Sequence, residues 1–207
     1  MSNQALGVAL VVSIVLASLG GSNILYDRGV PQYLSRKLGH AGGGTAFLLL
    51  PLFFSTPWWP LTLSVGFLVL LLAARLFRPA SFRGVGGTGR PHATAELSFP
   101  LAGSVSLLIG WGFMGNPWLG VVPGAMMGFG DCITGLVRHR VYHREVKGWW
   151  GSAAMLVICL GLALLIRPYW VGAAGAVAAT VAEHWTPTGP YWDDNLSIPV
   201  AGVVVMA

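Results

Sequence analysis

Asp131 stands at the end of an apolar, glycine-studded run, and Arg138, Arg140, Arg144 and Lys147 follow it before the next apolar run begins. A carboxylate can hold a hard divalent cation, and a group of bases can neutralise the phosphates such a cation accompanies. Read as one continuous helix, Gly124, Gly128, Asp131, Gly135 and Arg138 share a stripe. Two readings of that stripe stand side by side. In one, the small residues are a packing groove and Asp131 pairs with a base from a neighbouring helix. In the other, they clear space for a bulky anion, and Asp131 holds a divalent metal against it.

A second stripe lies in "LSRKLGHAGGGTAF", where Arg36, His40, Gly43 or Gly44, and Phe47 fall on one helical face. With Lys37 beside them, cation and imidazole stand within two turns above a glycine patch, which suits phosphate or hydroxyl chemistry; a satisfied interfacial histidine is the plainer alternative. A third group is "EHWTPTGPYWDDN", which places Glu183, Asp193, Asp194 and Asn195 in one short stretch. Capping of the following helix explains one of those acids, but not three in a chain with seven in all. The stretch "FRGVGGTGRPHATAELSFP" has neither the spacing of a phosphate-binding GxxxxGK[ST] loop nor a βαβ context, and its glycines suggest a mobile lid. No serine sits in a nucleophile elbow. Cys132 and Cys159 read as ordinary buried thiols.

The elements that must position these residues are membrane spans. The 207-residue chain is 55% hydrophobic and 9% charged, with a mean hydropathy of +0.69, outside the range of soluble domains. Apolar segments are expected at about 5–25, 38–55, 60–77, 97–115, 118–137, 150–166 and 169–183, with a shorter run at 196–207. This gives an all-α, polytopic single domain, 1–207, with seven to eight transmembrane helices. The start, "MSNQALGVAL", lacks the basic stretch of a secretory leader, so a retained first span is expected.

Arg28, Arg36, Lys37, Arg75, Arg78, Arg83, Arg90, Arg138, Arg140, Arg144 and Lys147 fall in alternate connections, and only Arg167 falls on the opposite side. The positive-inside rule puts those basic loops in the cytoplasm, and Trp58, Trp59, Trp111 and Trp118 in an outer aromatic belt. The same bases also suit contact with anionic membrane lipids. Glu96, Asp131, Glu183, Asp193 and Asp194 are then expected at or just inside the cytoplasmic ends of spans, where acids are costly and mark sites.

Together these motifs resemble the membrane-embedded CTP-dependent lipid-alcohol kinases, which include dolichol kinase and phytol kinase and are related to the phosphatidate cytidylyltransferases. "RKLGH" is similar to that family's RKxxH element, "GDCITGLVRHR" to its GDxxAxxxGR segment, and "KGWWGSAA" to its KSxEGSxA pattern. Glu183 with "DNLSIPV" resembles its acid and DNLTxPL pair, and "AELSFPLA", more loosely, its glutamate-bearing span at Glu96. Gly148 and Trp150 stand where the family has serine and an acid, and Ile133 and Thr134 where it has a small pair.

The resemblance implies transfer of the γ-phosphoryl group of CTP to a membrane isoprenoid alcohol at the cytosolic face of a cell membrane, prokaryotic by the chain's compactness. It implies Mg²⁺ held by Asp131, Asp194 and Glu183. Catalysis would rest on Asp131, His40, Lys147 and Arg36, with His40 orienting or deprotonating the alcohol. Arg138, Lys147, Gly151, Ser152, Lys37 and Asn195 would bind the nucleotide. No nucleic-acid partner is expected. Three rivals remain: a cytidylyltransferase attacking the α-phosphate, a transporter using the acids for coupling ions, and a structural membrane subunit.

Overall fold

The computed structural model describes residues 3–78, 81–86, 95–143, 146–187 and 193–207. Arg90, Arg144 and Glu145 lie outside the described residues, as does the 87–94 portion of the expected lid. The described chain is helical, without a strand among the described residues.

In chain order the helices are α1 (Asn3–Asp27), α2 (Gln32–Phe53), α3 (Trp58–Phe77), α4 (Ala95–Ser106), α5 (Pro117–Ala125), α6 (Asp131–Tyr142), α7 (Trp149–Ala163), α8 (Tyr169–Trp185) and α9 (Asp194–Met206). Leu107–Phe113 prolongs α4 as a π-helical stretch, and a π-helical turn, Met126–Gly130, joins α5 to α6. Every expected apolar segment is thus helical. Asn3–Asp27, Trp58–Phe77, Glu96–Phe113 and Pro117–Tyr142 are long and apolar enough to cross a membrane, while Trp149–Ala163 and Asp194–Met206 are shorter apolar helices. The exposed apolar side chains of α3, among them Val65, Val69, Leu72 and Leu76, suit a lipid-facing surface.

Local chemistry sets the helix ends. Asn116 caps α5 by accepting from the backbone N–H groups of Trp118 (3.0 Å) and Leu119 (3.4 Å), and Pro117 supplies the fixed φ suited to a first helical position. Asp193 caps α9 through the Leu196 N–H at 3.3 Å. His143 ends α6 in the left-handed conformation, φ 56°.

The core is where α2, the α5–α6 column, α7, α8 and α9 meet. Leu107, Val121, Val122, Met126, Met155 and Ile198 are fully buried there. Small residues let these helices approach, as expected where lipid offers no competing aqueous phase. One such close approach is Gly128 against α2: a Cβ there would stand 2.6 Å from the Gly44 Cα.

The glycine stripe therefore reads as packing. Gly124 faces the Phe47 ring, Gly128 faces Gly44 and Gly135 faces the Lys37 side chain, so α2 fills the space that might have taken an anion. The stripe keeps its facing across the π-helical turn: Asp131 faces α2 with Gly124, Gly128 and Gly135, whereas the longer Arg138 side chain reaches α7 and α8. Trp111 is buried at 5% exposure and belongs to the core, not to an outer aromatic belt; Trp58 and Trp59 are exposed.

Candidate functional site

Two buried charge clusters lie about two turns apart along α6, one at Asp131 and one at Arg138. The first is built by α2 and the start of α6. Lys37 Nζ donates to both carboxylate oxygens of Asp131 at 2.7 Å. His40 Nδ1 lies 2.6 Å from Asp131 Oδ2, out of line for a directed N–H···O bond. Lys37, His40 and Asp131 are all buried, and the missing side chain of Gly135 is what lets the Lys37 stem pass. Taking a carboxylate out of water costs several kcal/mol, and here a cation with two contacts offsets it.

The second cluster joins α6, α7 and α8. Arg138 grips Glu183 with both guanidinium nitrogens, at 2.7 and 3.0 Å, the planar two-point geometry that arginine provides and lysine does not. Glu183 is fully buried. Ser152 Oγ stands 3.4 Å from both Arg138 Nη2 and Glu183 Oε2, and 3.0 Å from His184 Nδ1. The His184 ring stacks on Trp149 at 4.7 Å between centroids. Gly151 lies against the Arg138 side chain, where a Cβ would collide with it. Thr134 ties α6 to α7, donating to Gly130 O at 2.8 Å and Gly151 O at 3.3 Å.

Lys147 closes the group from the α6–α7 connection. It donates to the carbonyls of Glu183 and, at 2.7 Å, Thr186, and so serves the otherwise unsatisfied carbonyls at the end of α8. Its Nζ is also 3.5 Å from Asp194 Oδ2. Asn195, wholly buried, donates to Asp193 Oδ2 at 3.0 Å. Burial pushes the Asp193 carboxyl above the usual range, and the adjacent Asp194 charge pushes it further.

The structure thus brings Lys37, His40 and Asp131 together, and separately Arg138, Ser152, Glu183, Lys147 and Asp194. The Gly151 and Ser152 backbone N–H groups, expected to donate to a phosphate, bond instead to Gly148 O at 3.1 and 3.3 Å in the first turn of α7. Among the described residues Arg36 forms no salt bridge, though its charge acts on Asp131 and Asp193 from farther off, and its buried Nε has no hydrogen bond. Among the described residues no group of three or more His, Cys, Asp or Glu side chains is set to hold a metal ion. Asp131 and Glu183 are each engaged by a base, and Asp194 has only the longer Lys147 contact.

Reading the sequence passed over His184 and Thr134. His184 had a signal, since it adjoins Glu183, but only the fold turns it toward Ser152. Thr134 stands where the resembled family has a small residue, and its buried hydroxyl needed an acceptor on a neighbouring helix.

Beside the first cluster lies an apolar cleft with about 790 Å³ of empty space, its open edge included. Its walls come from α1, α2, α3 and α4, and its polar lining comes from Arg36, His40 and Glu96. His40 therefore belongs both to the cleft and to the Asp131 cluster. A scan against protein-family models and searches of curated proteins and of solved structures find no match to this chain.

Proposed function

We propose that this chain is a membrane-embedded phosphotransferase with seven to eight spans and cytoplasmic basic loops, moving the γ-phosphoryl group of CTP to the hydroxyl of an isoprenoid alcohol. The observation that carries the reading is His40, which stands in the wall of an apolar cleft and touches the carboxylate of a buried lysine–aspartate pair. A lipid alcohol needs an apolar chamber ending in polar groups, and a triphosphate needs cations close to that end.

Phosphoryl transfer asks mainly for positioning and charge neutralisation. The cations here are already assembled and are balanced by carboxylates. An arriving triphosphate competes with those carboxylates for Lys37, Arg138 and Lys147, which frees Asp131, Glu183 and Asp194. Mg²⁺, when bound with the nucleotide, would be held by these acids and would neutralise charge on the β- and γ-phosphates. Ser152, held by Arg138 and His184, would donate to a phosphate oxygen, and Asn195 would hold the Asp193–Asp194 turn in place. His40 would orient the alcohol and accept its proton at the ring nitrogen turned away from Asp131. Arg36 adds a cation that no described carboxylate holds in a salt bridge.

The test uses purified protein in lipid nanodiscs with Mg²⁺, isoprenoid alcohols, and CTP labelled separately at the α and γ positions. Label from the γ position should appear in the lipid and vanish in Asp131→Ala. Label from the α position would reassign the chain to nucleotidyl transfer. Absence of transfer from CTP, ATP and GTP would remove the enzymatic reading altogether.

A further inference from the structure

The cleft has a shape that says how a lipid would reach it. Helix α1 packs along α2, and α3 along α4, but no packed backbone interface joins α1 to α3 or α2 to α4. Side chains bridge the two pairs on the inner side. Phe99 of α4 stands 5.6 Å from the His40 ring and 6.1 Å from the Phe47 ring, which makes an aromatic floor. Across from that floor, between Val15 of α1 and Leu63 and Phe67 of α3, the lining residues are only partly buried.

The end near Arg36 is roofed. Leu19, Leu71 and Val85 form a buried cluster that joins α1, α3 and the segment 81–86. That segment is strapped to the helix ends: Asn23 donates to Ser81 O and accepts from Gly84 N at 2.8 Å, Ser35 donates to Gly84 O at 3.0 Å, and Gln32 donates to Arg83 O at 2.8 Å. An apolar chain entering past this roof would have to break those bonds. Entering between α1 and α3 requires none to break, and a bilayer would supply the chain there.

The polar end is matched to one functional group. Three buried polar atoms on cleft-lining residues make no hydrogen bond: His40 Nδ1, which lies against the Asp131 carboxylate, and two with no such neighbour, Arg36 Nε, a donor, and Glu96 Oε2, an acceptor. Glu96 is held by Arg75 through its other oxygen. A hydroxyl both donates and accepts, so one alcohol satisfies both atoms.

We propose that the gap between α1 and α3 is a lateral port for a single-chain membrane alcohol, whose hydroxyl, before any nucleotide arrives, accepts from Arg36 Nε and donates to Glu96 Oε2, and turns its one proton to His40 only for transfer. This rests on the phosphotransferase reading for the fate of the hydroxyl, but not for its binding. The cleft follows α2 from Arg36 to Leu50, fourteen residues or about 21 Å at ~1.5 Å each. Longer tails run out through the port into the bilayer, so the site selects one slender chain with a free hydroxyl and is indifferent to total length.

The experiment is photolabelling in nanodiscs with a C20 isoprenoid alcohol carrying a diazirine at its tail end, with peptide mapping of the adducts. Adducts are expected on α1 and α3, between Val11 and Leu19 and between Leu63 and Leu71. Unlabelled C20 and C55 alcohols should compete equally, and the methyl ether, which cannot donate, at least 10-fold less well. Val15→Trp and Leu63→Trp, which plug the port, should each cut labelling at least 5-fold, with labelled CTP binding within 2-fold of wild type. Adducts elsewhere, equal competition by the ether, or plugged variants that label normally would overturn the proposal. Labelling of the expected pattern without CTP turnover would leave the port standing and remove the kinase.

Discussion

Lys37 and Asp131, 94 positions apart in the chain, meet through two 2.7 Å contacts in a buried site, and this ion pair ties α2 to α6 beside the 2.6 Å contact of Tyr33 with His139. Breaking such a pair from one side strands a buried charge and costs about 3–5 kcal/mol, whereas apolar replacement of both partners is often neutral. Lys37→Met and Asp131→Asn should each lower the thermal midpoint in detergent, and Lys37→Met with Asp131→Leu should recover most of it. Phosphoryl transfer should be lost in all three. Recovery of stability with recovery of activity would show that the pair serves only packing.

Gly135→Ala tests the same pair without touching a charge. The added methyl would occupy the path of the Lys37 stem and displace its ammonium from Asp131. A misplacement of about 1 Å can cost ~10²-fold in rate, and a loss of that order is expected in γ-label transfer. Gly66→Ala, with nothing near its new methyl, should be neutral.

Arg138→Lys keeps the charge but not the fork that holds Glu183. A charge-assisted hydrogen bond is worth ~1.5–3 kcal/mol, so at least 10-fold weaker binding of labelled CTP is expected, with a lowered melting midpoint. Unchanged affinity would place Arg138 outside the nucleotide's reach.

Asp193 predicts a pH dependence whose sign follows from its raised pKa. Between the ordinary carboxylate value and the raised folded one, the folded state binds more protons than the unfolded state, so stability falls as pH rises through that window. Asp193→Asn, which keeps a good helix cap, should remove that fall and raise the midpoint above the window. Parallel curves for wild type and variant in melts from acidic to neutral pH would contradict this.

Removing divalent metal with a chelator should abolish transfer and leave the melting midpoint unchanged. Asp131 and Glu183 are neutralised by Lys37 and Arg138, so folding does not need the ion. Restoration by Mg²⁺ checks the first half, and a chelator-induced drop in midpoint would refute the second.

The helical segments were legible because spans announce themselves by length and hydropathy, and each expected segment is a helix. Arg36, His40 and Phe47 were legible as one face because α2 keeps its α pitch, and all three line the cleft. The fate of the bases was not. Nothing in the spacing of Arg138 or Lys147 says that Glu183, its backbone carbonyl and Asp194 would already occupy them, since these partners arrive from α8 and α9 through tertiary packing. The stripe from Gly124 to Gly135 was legible as one face, and it packs on α2; that Phe47, Gly44 and Lys37 would fill it, and that Arg138 would reach α8 instead, was not.

That turn, Met126–Gly130, has a further consequence. A π turn absorbs one extra residue while the helices on either side keep their facing, so deleting one residue there closes it to α pitch and leaves Asp131 toward Lys37 and Arg138 toward Glu183. A one-residue insertion inside α5, by contrast, would rotate α6 by about 100° and break both charge clusters at once, although it adds no charge. Any chimera that exchanges α5 must carry the whole turn with one parent, and any sequence compared with this one across the turn must be allowed a one-residue gap.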